Sequence, residues 1–324
     1  MRVELDGLRW RPRWVSHLGC LKGCLDYLGT DMSWAWLYGG TGHAFVINIH
    51  EVVCPSGPTA WNTEMLRRLA PNLGYRTSSV FGFKGEGDFA SKQQEAWDLV
   101  RRSLDDNVPC YGWELSVPEY YAIHGYDDAG YYFSGPGCDE GAGPKPWREL
   151  GDSEIDVVAI HSVRACEPAD DEKAVRDALE AVLKHARSPA EWIFPKYKSG
   201  PAGFDLWAEA LDGGTAHAFG HPYNAAVWDE CRSYAPAFLA EAKQRLGGRA
   251  DSLFDEAIAH YTTVHSRLKA VSELHPFRMD VDEKEQLHSP EAAALVREAG
   301  AAERKGLESL QKLLDAVGGA GGSS

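Results

Sequence analysis

The chain changes texture once, and that change limits what it can fold into. Up to about Arg164 it is rich in Gly, Trp, Tyr and β-branched runs, with short elements separated by Gly and Pro. After Cys166-Glu-Pro-Ala-Asp-Asp it turns to long Ala/Leu/Glu/Lys stretches. Short segments of period two build sheets, and long stretches of period 3.6 build helices. Pro168 and the acids around it mark a linker and helix start between Glu167 and Asp171. Two domains are therefore expected in the 324 residues, 1–166 and 167–317, with a frayed Gly/Ser tail over 318–324.

In the first half, Leu18 to Leu28 reads as a helix stopped by Gly29, and Asp31 to Leu37 as a short helix ended by Gly39-Gly40. Ala44-Phe-Val-Ile-Asn-Ile is a continuous apolar run of strand length. A helix over Thr59 to Leu69 precedes a strand over Tyr75 to Phe83 and a helix over Asp88 to Asp105, which spaces Ala96, Trp97, Val100 and Leu104 on one face. Strands follow over Val108 to Leu115, Glu119 to Tyr126, Gly130 to Ser134 and Asp156 to Val163, with a hairpin signal at Tyr126-Asp-Asp-Ala-Gly-Tyr. Helices first and antiparallel strands later predict an α+β domain. The second half predicts an all-α domain with helices over 170–187, 204–210, 222–246, 251–274 and 290–317, the third kinked or split by Pro236.

Lys and Arg total 33 against 48 Asp and Glu, a net charge of −15, which disfavours nucleic acid and anionic membranes as partners. No apolar run approaches membrane-spanning length and the start lacks the charged-then-apolar layout of a signal peptide, so a cytoplasmic protein is expected. Seven scattered cysteines without a C-x-x-C pair argue for reduced thiols and against a structural zinc site. No cofactor and no metal are expected. Monomer and homodimer stay open, because acidic helices with exposed Ala and Leu suit either.

Gly19-Cys20-Leu-Lys-Gly-Cys24-Leu-Asp-Tyr-Leu-Gly29 is the most informative stretch. A thiol in the first turn of a helix is drawn toward thiolate by unpaired amides and the positive dipole end, and a histidine completes the nucleophilic pair. Cys20 is the candidate, and two cysteines on one helix face are equally what a core would hold. The candidate base is His124, in Glu119-Tyr-Tyr-Ala-Ile-His124-Gly-Tyr-Asp127-Asp128. Strand parity puts Tyr120, Ala122 and His124 on one face and Glu119, Tyr121 and Ile123 on the other. Only one of Glu119 and His124 then looks into a common cleft, unless a bulge intervenes.

These segments resemble the papain-like cysteine peptidases that process bacteriocin leaders, and the related N-terminal domain of butirosin biosynthesis protein H. Cys20 to Gly29 is similar to the family's opening Cys-Gly-x-Ala-Cys-Leu helix, Met65-Leu-Arg-Arg-Leu to its middle helix, Asn107-Val-Pro109 to the start of a strand, and Gly125-Tyr-Asp127-Asp128 to its glycine-tyrosine-aspartate turn. His17 stands loosely where the butirosin-type pattern has a histidine before the cysteine, and Gly39-Gly-Thr-Gly-His43 where it has a glycine-rich segment. The resemblance covers about residues 14–164. It implies a papain-like domain in which Cys20 attacks an acyl carbonyl of a small-molecule or peptide substrate, His124 takes its proton and Asp127 or Asp128 orients the ring. The sequence departs from that pattern at Leu21, where a glycine is usual, at Phe133-Ser134-Gly135-Pro136, where an Asp precedes Pro, and at Glu119, which occupies the histidine position. Either His124 serves from a shifted register or the cleft lacks a working triad.

A catalytically silent cleft would still bind. Trp113, Glu114, Glu119 and Trp34, with His43, suit a cationic or amine-bearing ligand, although Trp residues at such spacings are also ordinary core. In the helical half, His217 and His221 stand four apart, a spacing that metal ligands can use, but Gly220 and Pro222 interrupt the helix and no nearby acid completes a site, so surface or packed histidines are expected ahead of a metal site. The apolar connection Trp192 to Phe204 is an expected lid or wall over the first domain's cleft.

Overall fold

A computed structural model of the chain describes residues 2–282 and 284–318. In chain order the elements are β1 (Val3–Glu4), α1 (Ser16–Tyr27), α2 (Trp34–Gly40), β2 (Asn48–His50), α3 (Glu64–Leu69), β3 (Tyr75–Phe83), α4 (Phe89–Asp105), β4 (Cys110–Trp113), β5 (Tyr120–Tyr126), β6 (Gly130–Gly135), β7 (Cys138–Pro146) and β8 (Val157–Ala165). The helical half adds α5 (Asp171–His185), β9 (Tyr197–Ser199), α6 (Gly200–Gly213), β10 (Ala216–His217), α7 (Gly220–Arg245), α8 (Asp251–Leu274), β11 (Gln286–Leu287) and α9 (Pro290–Gly318). An antiparallel sheet with several helices makes the protein α+β. Residues 319–324 of the expected tail lie outside the described residues, and Gly318 is the last residue of α9.

The chain divides into two compact units, residues 1–32 with 74–168, and 33–73 with 169–324. The division after Pro168 follows the change of texture, but Ser33–Leu73 belongs with the helical half, unlike the continuous 1–166 domain expected from sequence. The cause is long-range pairing. β2 runs antiparallel to β9 with Asn48 opposite Ser199, and Trp61 bridges Ile193. The connection from Trp192 to Phe204, expected as a lid, is thus paired within its own unit.

Unit one is a seven-stranded sheet in the order β3-β8-β4-β5-β6-β7, with β1 added beside β5. Every pairing is antiparallel. α1 packs on β4, β5 and β8, and α4 packs on β3 and β8. α4 buries Ala96, Trp97, Val100 and Leu104, the apolar stripe of its sequence. β7 carries no strand signal in its sequence, since Cys138-Asp-Glu-Gly-Ala-Gly-Pro-Lys-Pro has no apolar alternation.

Unit two is built on α6, α7, α8 and α9. α5 begins where the linker was read, with the Asp170 side chain accepting from Lys173 N at 2.8 Å and Asp171 and Glu172 in its first turn. α7 is one helix with Pro236 inside it, so of the expected kink or split the split does not occur. One expectation is corrected here. The run Ala44–Ile47 is buried but not a strand. Ala44 N bonds Tyr38 O, Phe45 N and Val46 N bond Gly42 O, and the Ala44 and Val46 carbonyls accept from Arg232 Nη1 at 3.1 and 2.9 Å. Continuous apolarity there records complete burial, and a buried guanidinium takes the place of a ladder.

Candidate functional site

α1 starts at Ser16, two residues before the expected start, and this moves Cys20 away from the free amides. Gly19 N–H already bonds Val15 O at 3.0 Å, so Cys20 lies one turn inside the helix. Gly19 also lets the N-terminal segment lie against α1. A Cβ there would sit 2.3 Å from Trp10 Nε1 and 2.4 Å from Arg11 O. The Cys20 side chain is 0% exposed and, among the described residues, makes no hydrogen bond. Burial first, then Cys24 and Glu119, pushes its thiol well above the ordinary cysteine value, away from thiolate.

His124 is elsewhere. The pairing of β5 with β6 shifts between Ile123 and Gly125, so His124 occupies a bulge. Its Nδ1 lies 3.2 Å from Glu4 Oε1, and Arg9 and Arg2 act on it as well. Burial, then Arg9, lowers its pKa against the pull of Glu4. No hydrogen bond joins it to Cys20 among the described residues. Asp127 does not orient this ring. Its Oδ1 accepts from Ala129 N at 2.8 Å and Gly130 N at 3.3 Å, and its Oδ2 accepts from Tyr132 Oη at 2.8 Å, so both oxygens close the hairpin. The Tyr132 bond, more than any other contact, lowers its pKa.

The side chains gathered beside Cys20 are others. The Ser16 hydroxyl donates to the Glu119 carboxylate, and Tyr120 N donates to Ser16 Oγ at 3.0 Å. Glu119 precedes β5, with its own N–H bonding Val117 O at 2.7 Å, so strand parity does not govern it. His17 Nε2 lies 3.0 Å from Tyr111 Oη, and the His17 ring meets those of Tyr111 and Tyr120 edge-on at 5.3 and 5.1 Å. Register pairs extend this group across the sheet. Tyr111 on β4 is opposite His161 on β8 and stacks on it at 4.8 Å, and His161 is opposite Ser79 on β3, its Nδ1 2.7 Å from Ser79 Oγ. Burial holds His161 down at about 4 and raises the phenols of Tyr111 and Tyr120. The result is a seam of two imidazoles and two phenols with the Glu119 carboxyl group at its end.

Of the expected binding residues, Trp113 touches this seam, its ring 5.0 Å from Tyr120 and edge-on. Glu114 is buried, accepts from Ser153 Oγ at 2.7 Å through Oε2, and has its carboxyl raised first by burial. Trp34 and His43 belong to unit two. Trp34 lies beside Tyr38 at 6.1 Å, and His43 Nδ1 is 3.0 Å from Thr41 Oγ1, with burial pushing the ring down to about 3. Sequence reading missed Ser16, Tyr111, Tyr120, His161 and Ser79. Their signal is the register that sets Ser79, His161 and Tyr111 in one cross-strand row, which needs the pairing to be known first.

In unit two, His221 Nδ1 accepts from Trp207 Nε1 at 2.9 Å and His217 Nδ1 accepts from Gly220 N at 3.1 Å. Among the described residues no three His, Cys, Asp or Glu side chains gather as a metal site, and no helix is long and apolar enough to cross a membrane. No family model matches the chain, and no curated protein matches it.

Proposed function

We propose that unit one is a papain-like domain that binds its ligand without using Cys20 as a nucleophile. The ligand is a small molecule or peptide end bearing an amine, taken by the Glu119 carboxylate among the rings of Tyr120, His17 and His161. The observation that carries this reading is the state of the Cys20 thiol, enclosed, neutral and bonded to no imidazole. Acyl transfer or amide hydrolysis would need Cys20, His124 and Asp127 as one unit. His124 instead lies beside Glu4 of β1, and the hydrogen bonds of Asp127 close a turn. Support for an amine comes from the half-buried positions of Glu119, Tyr120, His17 and His161, since a carboxylate close to aromatic rings attracts a cation.

Fluorescence titration with benzylamine and with benzyltrimethylammonium tests it. Saturable binding is expected, kept by Cys20→Ala and weakened at least tenfold by Glu119→Gln. The reading fails if neither amine binds saturably. It fails equally if the protein turns over an activated ester and Cys20→Ala abolishes that turnover.

A further inference from the structure

β3 is an edge of the sheet, and its hydrogen bonds reveal which of its residues face outward. Cys166 N donates to Gly74 O at 2.9 Å and Lys84 N to Asp156 O at 3.0 Å, one step beyond each end of the β3–β8 register. Bonded pairs alternate in an antiparallel ladder. Arg76, Ser78, Val80 and Gly82 therefore turn their backbone groups to β8, and Thr77, Ser79 and Phe81 turn theirs away. Among the described residues nothing meets those outward groups. The Phe83 N–H is taken by Glu86 Oε2 at 3.1 Å, which closes the open stretch.

The two edges of the sheet are built differently. β7 carries Asp139, Glu140, Pro144 and Pro146, and its pairing with β6 slips twice, devices that keep a further strand off. β3 from Thr77 to Phe83 has neither charge nor proline, and Phe81 and Phe83 are 54% and 43% exposed with rings 5.0 Å apart.

We propose that β3 pairs with β3 of a second copy of this chain, antiparallel about a two-fold axis through Ser79. Ser79 then faces its own counterpart and Thr77 faces Phe81 of the other copy. The open residues map onto themselves and exchange about six backbone hydrogen bonds. An axis through Ser78 would need Tyr75, which is buried. One through Val80 would need the occupied Phe83 amide and would oppose Arg76 to Lys84. With the axis at Ser79, Arg76 meets Gly82 and no like charges face each other. The contact is isologous, and the guarded β7 edge stops it at two copies.

Sedimentation velocity of the full chain at tens of micromolar tests this. A dimer is expected for the unaltered protein and monomers for Thr77→Pro and Phe81→Lys. Among the described residues Thr77 N–H makes no bond, so proline there removes none. Phe81→Lys decides alone if the proline variant does not fold. Ser79→Cys should also cross-link into dimers under mild oxidation, because bonded pairs sit about 5.5 Å apart at Cα. Ser78→Cys and the unaltered protein should not. A monomeric unaltered protein overturns the proposal, as does a dimer that persists in Phe81→Lys.

Discussion

Lowering the pH from 7 to 5 is expected to remove about 6 kcal/mol of stability from unit two, the order of a whole domain's stability. Burial, the largest cause in each case, pushes His43, His185 and His221 down to about 3. The unfolded chain binds protons near pH 6.5, where the native rings refuse them. The stability these groups allow is therefore full above about 6.5 and drains as the pH falls toward 3, by about 2 kcal/mol per ring at pH 5. Denaturant unfolding followed by circular dichroism at pH 7, 6 and 5 measures the slope. Among the described residues neither ring nitrogen of His185 has a hydrogen-bond partner, so His185→Leu should cut the slope by about a third without breaking a bond. Equal stability at pH 7 and pH 5 would contradict this.

The second large effect is at Arg232. Its guanidinium holds both oxygens of Glu303 at 3.0 Å, from Nε and Nη2, and the carbonyls of Ala44 and Val46 from Nη1, with both side chains of the pair 0% exposed. Burial raises the Glu303 carboxyl and Arg232 opposes that rise. Arg232→Met leaves a buried carboxylate unpaired, and a loss of about 3–5 kcal/mol is expected. Adding Glu303→Leu should restore a substantial part, since the unpaired charge goes. The two carbonyls remain unsatisfied, so recovery is incomplete. A double variant no more stable than Arg232→Met, by the same unfolding measurement, would show that the ion pair is not what fixes this segment.

Local pattern carried much of the fold. The apolar stripe of α4, the Asp170 start of α5, the ends of β3 and the turn held by Asp127 all follow from residues close in sequence. What stayed hidden depends on distant partners. Ala44–Ile47 reads as a strand because nothing nearby reveals that Arg232, some 188 positions on, takes its carbonyls. The place of Ser33–Leu73 in unit two rests on β2 meeting β9. At the site, the helix that carries Cys20 is legible in the sequence, but its start at Ser16, which sets Cys20 one turn inside, is not, and residues 9–11 lie against that helix at Gly19 and Gly23. The bulge at His124 and the departure of Glu119 from strand geometry reverse what parity alone implies.

Alkylation of the native protein with iodoacetamide across pH 6 to 10, read cysteine by cysteine by mass spectrometry, tests most directly whether unit one binds rather than reacts. Cys54, Cys138 and Cys166 are partly exposed and should label first, with Cys20 unmodified until the protein is unfolded. Labelling of Cys20 ahead of those three, with a rate already at its plateau below pH 7, would contradict the account and restore a thiolate nucleophile.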